Sequence, residues 1–410
     1  MIYIDITDTI RIPYITGIQR VVRNLIINSF NDELVSFVEF DRILQSYILI
    51  SKNDPRFDVI MRFEIELKKK SIPYKVVKHF FSKNMKYLIN KILHKVVIYF
   101  RFTLRNIGFN KRFKLVDEIK SGDTLFLADS SWNYHPWIEV NKVKKKGVKI
   151  KHIVYDVLPI MYPSYFETQT KLMFNLWFRM IHYFGDEFFA ISQTTANNFS
   201  KNIQKGYLVE NSIKVMHLGS DIEKFNFNVS YSKKKSNVIK FLTVGTIEPR
   251  KNHKFVLSVF DKLWRSENSE VEWHIVGKVG WKSNELIEIM KWHPLLNKNL
   301  FIYHDLDDTE LNKLYAKSDC IIVPSIDEGY GLQIVEAIHN NCNALVSDIE
   351  VFKEFNLSND CYFSIKDNGE ELRSKIIQVI DGEIDLNHAK NVNLFTWKDS
   401  IEKLMNELKH

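Results

Sequence analysis

From residue 238 onward, short apolar runs alternate with runs of helical spacing: "VIKFLTVGT", "KFVLSVFDKLW", "VEWHIVGK", "NELIEIMKW", "NLFIYHDL", "DDTELNKLYAKSD", "CIIVPS", "GLQIVEAIHN" and "CNALVSDI". No other feature narrows the fold as far. Strands this short and this apolar are covered on both faces, and a helix between successive strands carries the chain back to start the next one parallel to the last. The second half therefore predicts an α/β domain built on a doubly wound parallel sheet. The first half has the same rhythm less regularly. Its strands are "MIYIDIT", "LVSFVEF", "DTLFLAD", "KIKHIVYDV", "EFFAIS" and "IKVMHLG", with "GIQRVVRNLIINSF" and "TKLMFNLWFRMIHYF" as helices between them.

A chain of 410 residues, 45% of them hydrophobic, can bury two such cores. The junction is placed in the polar stretch "HLGSDIEKFNFNVSYSKKKSN", which gives a first domain over 1–220 and a second over 221–395, with the closing helix 396–410 completing the first. Two doubly wound domains facing one another leave a central cleft at the carboxyl ends of their strands, where ligands of such sheets bind.

The net charge of +7 is concentrated in one place. Between Arg62 and Lys114 stand fifteen Lys or Arg against two acids, Glu64 and Glu66, so the remainder is net acidic. This basic insertion, at about 60–118, contains a helix at about 84–106 with Leu88, Ile92, Val96 and Phe100 on one stripe and Lys86, Lys91, Lys95 and Arg101 largely off it. It covers its own domain's core or docks on an anionic membrane surface. Nucleic acid is not expected as a partner, because no recognition motif accompanies the charge.

Cys320, Cys342 and Cys361 have no metal-ligand spacing and read as buried thiols of a reducing compartment. "MIYIDITDTI" reads as a first strand rather than a signal peptide, and no apolar run is long enough to span a bilayer. A cytoplasmic protein is expected, peripheral on the inner face of the cytoplasmic membrane if the basic helix docks there.

Four loops at strand ends carry candidate chemistry. In "GTIEPRKN", Gly245 permits a tight exit from the strand, and Arg250 and Lys251 offer paired cations suited to a diphosphate. In "DEGYGLQIVEA", Gly329 and Gly331 allow backbone to approach a ligand, and a helix opening near Leu332 turns its free N–H groups toward an anion. Tyr330 lies between the two glycines of the same stretch. Glu336, about one turn into that helix, can reach a ribose diol, and Glu328 lies nearer the reacting end of the ligand. The bland alternative is an acidic loop followed by a solvent-facing glutamate. In "VYDVLPIMYP", Asp156 faces the cleft from the first domain or simply caps the next turn. In "TGIQRVVRNL", Gly17 opens a helix at the cleft without a full dinucleotide fingerprint. His135, His152 and His339 are scattered, and no metal site is expected.

Taken together, "GTIEPRKNH", "HIVGK", "LNKLYAKSDCIIVPSIDEGYGLQIVEA" and "VSDIEVFKEF" resemble the retaining glycosyltransferases of the GT-B fold, which has two Rossmann-like domains. The bacterial enzymes that build O-antigen chains and capsules, including mannosyltransferases, are the nearest in pattern. The resemblance extends through "TGIQRVVRNL", "ADSSW", "YDVLPIMYP", "AISQTTANNF", "HLGSDIEKF" and "FTWKDSIEKLMNEL", nearly the whole chain apart from the basic insertion.

The resemblance implies a metal-independent transfer of a hexose from a nucleotide diphosphate sugar such as GDP-mannose to a lipid-linked or oligosaccharide acceptor, with retention of configuration. It places Glu328 and Asp156 at the reacting sugar, Glu336 on the ribose, and Arg250 and Lys251 on the leaving diphosphate. Three positions depart from the pattern: Tyr155 where many relatives have His, Thr246 where others have Arg, and Gln333 where Pro is common. A sugar phosphorylase or epimerase could use a similar cleft, but no second phosphate site or cofactor lysine is evident. The non-enzyme alternative is a degenerate nucleotide-sugar-binding partner of a glycan-assembly complex.

Overall fold

The computed structural model describes residues 1–11, 17–66, 114–202, 213–220, 238–266, 271–304, 306–340, 342–383, 392 and 394–409. The basic helix expected at about 84–106 and the lysines at 233–235 lie outside the described residues.

The first sheet joins β1 (Ile2–Asp5), β2 (Val35–Asp41), β3 (Ser46–Ile50), β4 (Thr124–Leu127), β5 (Lys149–Val154), β6 (Glu187–Ala190) and β7 (Ile213–Val215), in the order β3-β2-β1-β4-β5-β6-β7. Every pairing is parallel except β2 with β3. The antiparallel edge strand β3 was not among the strands expected from the first half. "SYILI" follows β2 after a short turn with no helix between them, and so hairpins back.

The second sheet is wholly parallel. It joins β9 (Ile239–Val244), β10 (Val271–Val276), β11 (Leu300–Tyr303), β12 (Cys320–Val323), β13 (Asn343–Ser347) and β14 (Tyr362–Phe363) in the order β11-β10-β9-β12-β13-β14.

Local chemistry sets these elements. All four residues of β12, "CIIV", are buried, as a central parallel strand requires. The helix Asp308–Lys317 is opened by a reciprocal capping box, with the Asp307 carboxylate accepting from the Glu310 N–H and the Glu310 carboxylate accepting from the Asp307 N–H. The helix Trp397–Lys409 buries Trp397, Ile401, Leu404, Met405 and Leu408 on one stripe, and that stripe packs into the first domain's core against the helix Gly17–Ser29. Just before it, β15 (Phe395–Thr396) pairs with β8 (Gly219–Ser220), so the chain crosses back between domains at Gly219. A Cβ there would collide with the backbone of Trp397, which explains the glycine.

In each sheet the strand order reverses once, between β1 and β4 in the first and between β9 and β12 in the second. Loops leaving the carboxyl ends of neighbouring strands diverge at such a reversal and open a crevice. The site is built there.

Candidate functional site

After β9 the chain turns through Gly245, whose φ of 147° suits no other residue type well, into a short 3-10 turn at Pro249–Lys251 that holds Arg250 and Lys251 side by side. After β12, the loop through Ser325 and Asp327 brings Glu328 to meet them. Arg250 Nη1 donates to Glu328 Oε2 at 2.6 Å, Lys251 Nζ donates to Glu328 Oε1, and the Ser325 hydroxyl donates to the same oxygen at 2.7 Å. Arg250 also donates to Glu248 Oε1 and to the Asp327 carbonyl oxygen, both at 2.8 Å.

Burial alone would raise the Glu328 carboxyl, but the Arg250 and Lys251 charges outweigh it and hold its pKa at about 2. Burial lowers Lys251 despite its carboxylate partner, whereas Arg250 is raised because Glu328 and Glu248 outweigh its burial. A carboxylate and two basic side chains are thus held in contact in a largely buried pocket, where each side chain is 10–14% exposed.

The first domain faces this cluster with Asp156. Its carboxylate accepts from the Leu158 N–H at 3.0 Å, so it caps the following turn, and it also feels the charges of Arg250, Glu328 and Asp327. Burial raises its pKa, and Arg250 opposes the shift. The cap and the cleft position turn out to be compatible.

Glu336 is not part of this cluster. It lies in the helix Leu332–His339, where its carboxylate joins Arg20 of the first domain's Gly17–Ser29 helix and accepts from the Tyr315 hydroxyl at 2.8 Å. The three residues link the domains across the cleft. Gly17 opens the helix that carries Arg20, and the nearest atom to a Cβ there would be Leu332 Cδ1, at 3.7 Å.

Gly329 answers to the domain seam. A Cβ there would strike the Tyr155 carbonyl oxygen, and its own carbonyl accepts from the Ser192 hydroxyl at 2.7 Å and the Thr195 hydroxyl at 3.1 Å. Tyr330 packs against the cores of both domains. Gly331, with φ of 123°, precedes the helix and lies against Phe352 and Phe355.

Among the departures from the family pattern, Tyr155 donates its hydroxyl to the Ala128 carbonyl at 2.6 Å, within the first domain. The Gln333 amide nitrogen stands 3.6 Å from where a Cβ on Gly245 would be, facing the tight turn after β9. The Thr246 methyl packs under Gly280.

Sequence reasoning overlooked Arg20, Tyr315 and Ser325. Arg20 stood three residues beyond a glycine already singled out, but nothing local announces a partner more than three hundred residues away. It also overlooked a buried acidic group at the crest of the first sheet. Asp5 ends β1, accepts from the Thr7 hydroxyl at 2.5 Å and the Tyr47 hydroxyl at 2.9 Å, and also bonds Tyr134. Asp129, just after β4, accepts from the Thr9 N–H at 2.6 Å and the Ser130 N–H at 2.8 Å.

Among the described residues no group of His, Cys, Asp or Glu is arranged to hold a metal ion. His152 is buried against Phe188 and Trp137, with its pKa pushed down to about 3 by burial and by Lys144. No helix among the described residues is long and apolar enough to cross a membrane.

Residues 223–393 match the sequence model of the family described as "Glycosyl transferases group 1". The serotype-specific mannosyltransferase WbdA of Escherichia coli is 28% identical over 311 residues, covering 70% of this chain and 37% of WbdA. This chain thus spans little more than a third of that relative's length. The O-antigen chain mannosyltransferase RfbU of Salmonella typhimurium is 29% identical over 224 residues, covering 54% of this chain and 58% of RfbU. Among solved structures, Anabaena Alr3699/HepE in complex with UDP and glucose superposes with a TM-score of 0.64 at 13% identity, over 99% of this chain and 98% of that one. The chain has the GT-B fold, and its second domain is similar in sequence to the glycosyl transferases group 1 family.

Proposed function

We propose that this chain is a glycosyltransferase that moves a hexose, with mannose as first candidate, from a nucleotide diphosphate sugar to a growing surface glycan with retention of configuration. The observation that carries the reading is the Glu328–Arg250–Lys251 cluster at the β9/β12 reversal of a domain similar to the glycosyl transferases group 1 family. Mannosyltransferases among the relatives favour the sugar, and a neighbour solved with UDP and glucose favours a nucleotide-linked donor.

In this reading the donor diphosphate lies over Arg250 and Lys251. Both side chains are already oriented by Glu328, so they stabilise the negative charge that develops as the glycosidic bond breaks, with little reorganisation. Glu328 holds them in place and presents a carboxylate to the electron-poor sugar. Departure of the diphosphate and arrival of the acceptor hydroxyl share one face of the sugar, and the leaving phosphate oxygen takes the acceptor's proton. The two-carboxylate scheme of glycosidases is not needed for this. Glu336 holds the ribose diol once it shares its carboxylate between the sugar and Arg20. The basic segment at about 60–118 would keep the protein on the inner face of the cytoplasmic membrane, and deleting it should weaken pelleting with anionic liposomes.

A thermal-shift panel of GDP-, UDP- and dTDP-sugars tests the reading. A ligand that binds only the folded state raises the melting temperature by mass action. GDP-mannose is expected to give the largest shift, and Glu336→Ala is expected to reduce it. Absence of a shift with every nucleotide and nucleotide sugar defeats the reading.

A further inference from the structure

The residue that follows Glu328 is gripped by the first domain. Gly329 presents its carbonyl oxygen to the Ser192 hydroxyl at 2.7 Å and to the Thr195 hydroxyl at 3.1 Å. The three atoms nearest to where a Cβ would stand on Gly329 are the Tyr155 carbonyl oxygen, at 2.2 Å, and the Tyr155 carbonyl carbon and Ile191 Cδ1, both at 3.3 Å. All of these groups belong to the first domain.

The gripping groups are themselves fixed. Tyr155 directly follows β5, and Ser192 stands just beyond β6, two strands paired side by side with Val154 opposite Ala190. The Ser192 hydroxyl also accepts from the Thr195 N–H at 3.0 Å, as N-cap of the helix Gln193–Lys201, and the two residues are 0% and 2% exposed. A buried carbonyl with two buried hydroxyl donors cannot shift without leaving a polar group unpaired. The Glu328 carboxylate, in contrast, is held by Arg250, Lys251 and Ser325, all of its own domain. The Tyr155 carbonyl lies in the peptide bond that leads into Asp156. Glu328 and Asp156 are thus each one residue away from a direct backbone contact between the domains.

Resting on the transferase reading above, we infer that Ser192 and Thr195 are positioning residues, which act through the Gly329 carbonyl to fix the separation of Glu328 from Asp156. Consecutive Cα atoms are about 3.8 Å apart, so a clamped Gly329 leaves the Glu328 backbone little room. A displacement of about 1 Å near a reacting centre can cost on the order of a hundredfold in rate. The bonds at Gly329 involve neither Arg250, Lys251 nor Glu336, the groups assigned to the donor's diphosphate and ribose. Loss of the clamp is therefore read in turnover rather than in donor affinity. A second seam contact supplies the comparison. Glu354 accepts from the Gln193 N–H at 3.0 Å and the Thr194 N–H at 2.7 Å, so it ties the same helix to the second domain from an exposed position outside the Glu328 loop.

The test follows nucleotide release by the full chain from whichever GDP-, UDP- or dTDP-sugar gives the wild type its largest thermal shift, with methyl α-mannopyranoside as acceptor. Nucleotide affinity is measured on the same samples by isothermal calorimetry. Thr195→Val, which keeps the volume and removes one donor, is expected to lower kcat about tenfold with nucleotide Kd held within about twofold. Ser192→Ala should lower kcat at least as far, since it removes the other donor and the helix cap together. Glu354→Ala breaks two seam bonds and should leave kcat unchanged. An unchanged kcat in Thr195→Val, an equal fall in Glu354→Ala, or a loss of nucleotide affinity large enough to account for the fall overturns the inference. The wild type separates the two claims. No thermal shift, or a shift without nucleotide release, defeats the transferase reading itself, whereas a wild type that turns over and a Thr195→Val that matches it defeat only the clamp.

Discussion

The two sheets place carboxylates at the same station, where the strand order reverses, and treat them in opposite ways. At the first reversal Asp5 and Asp129 are 0% and 3% exposed, and at the second Glu328 is 9% exposed. Burial pushes all three toward the neutral form. Hydroxyl and backbone N–H donors only partly offset it at the first sheet, where Asp5 rises to about 6 and Asp129, which also feels the Asp5 charge, to about 7. At the second sheet Arg250 and Lys251 reverse the outcome and take Glu328 to about 2. Depth does not decide the charge of a buried acid; a cation in contact does. The first crest holds protons near neutrality, and the second holds permanent charge.

The largest expected effect comes from breaking the charged crest. Glu328→Ala leaves Arg250 and Lys251 buried without their shared anion, which costs on the order of 3–5 kcal/mol. The second domain's melting temperature should then fall by roughly 10 °C, together with loss of transfer activity. The wild-type contribution of Glu328 is fully present above the usual carboxylate pKa and disappears only as the pH falls toward about 2. A melt repeated at pH 3 should therefore show a smaller gap between wild type and variant than one at pH 7.

The opposite slope is expected at the first crest. Asp5 and Asp129 keep protons in the folded chain that the unfolded chain releases above about pH 4. Their contribution is thus full at low pH and is lost as the pH rises through about 6 and 7. Asp129→Asn should flatten the decline in stability between pH 5 and pH 8 by roughly 2 kcal/mol, as read by urea midpoints across that range. An unchanged slope would mean the two crests are less different than their surroundings indicate.

The smallest effect is expected between the domains. The Arg20 and Glu336 side chains retain 30% and 23% exposure, so Arg20→Ala should cost under about 1 kcal/mol of stability. Its signature lies in the nucleotide titration. A carboxylate relieved of Arg20 is free for a ribose, and tighter nucleotide binding is expected by isothermal calorimetry.

The alternation of apolar runs sufficed for the α/β architecture, because a parallel strand covered on both faces writes itself as a short uninterrupted apolar block. It passed over β3, a hairpin edge strand that follows β2 after a short turn with no helix between to set it off as a separate block. The loops around Arg250, Lys251 and Glu328 could be located because strand ends are where crevices form. Their mutual bonds could not be, since Glu328 and Lys251 are 77 positions apart and meet only through the β9/β12 pairing. Gly329 was read for its missing side chain, and what it accommodates is a carbonyl of the other domain. Asp5 was hidden inside a strand block, and its partners Tyr47 and Tyr134 arrive from different elements.

The helix Trp397–Lys409 supplies five large side chains to a core whose other members begin at Ile2. Domains usually fold in the order in which they leave the ribosome. Here the earlier-made sheet stays without part of its apolar cover while the whole second domain is synthesised, and the second domain can close first. Maturation of the first domain is thereby tied to synthesis of residues 397–409. A chain interrupted before residue 397 would leave Ile2, Ile4, Val22, Leu25 and Ile26 without part of their apolar cover.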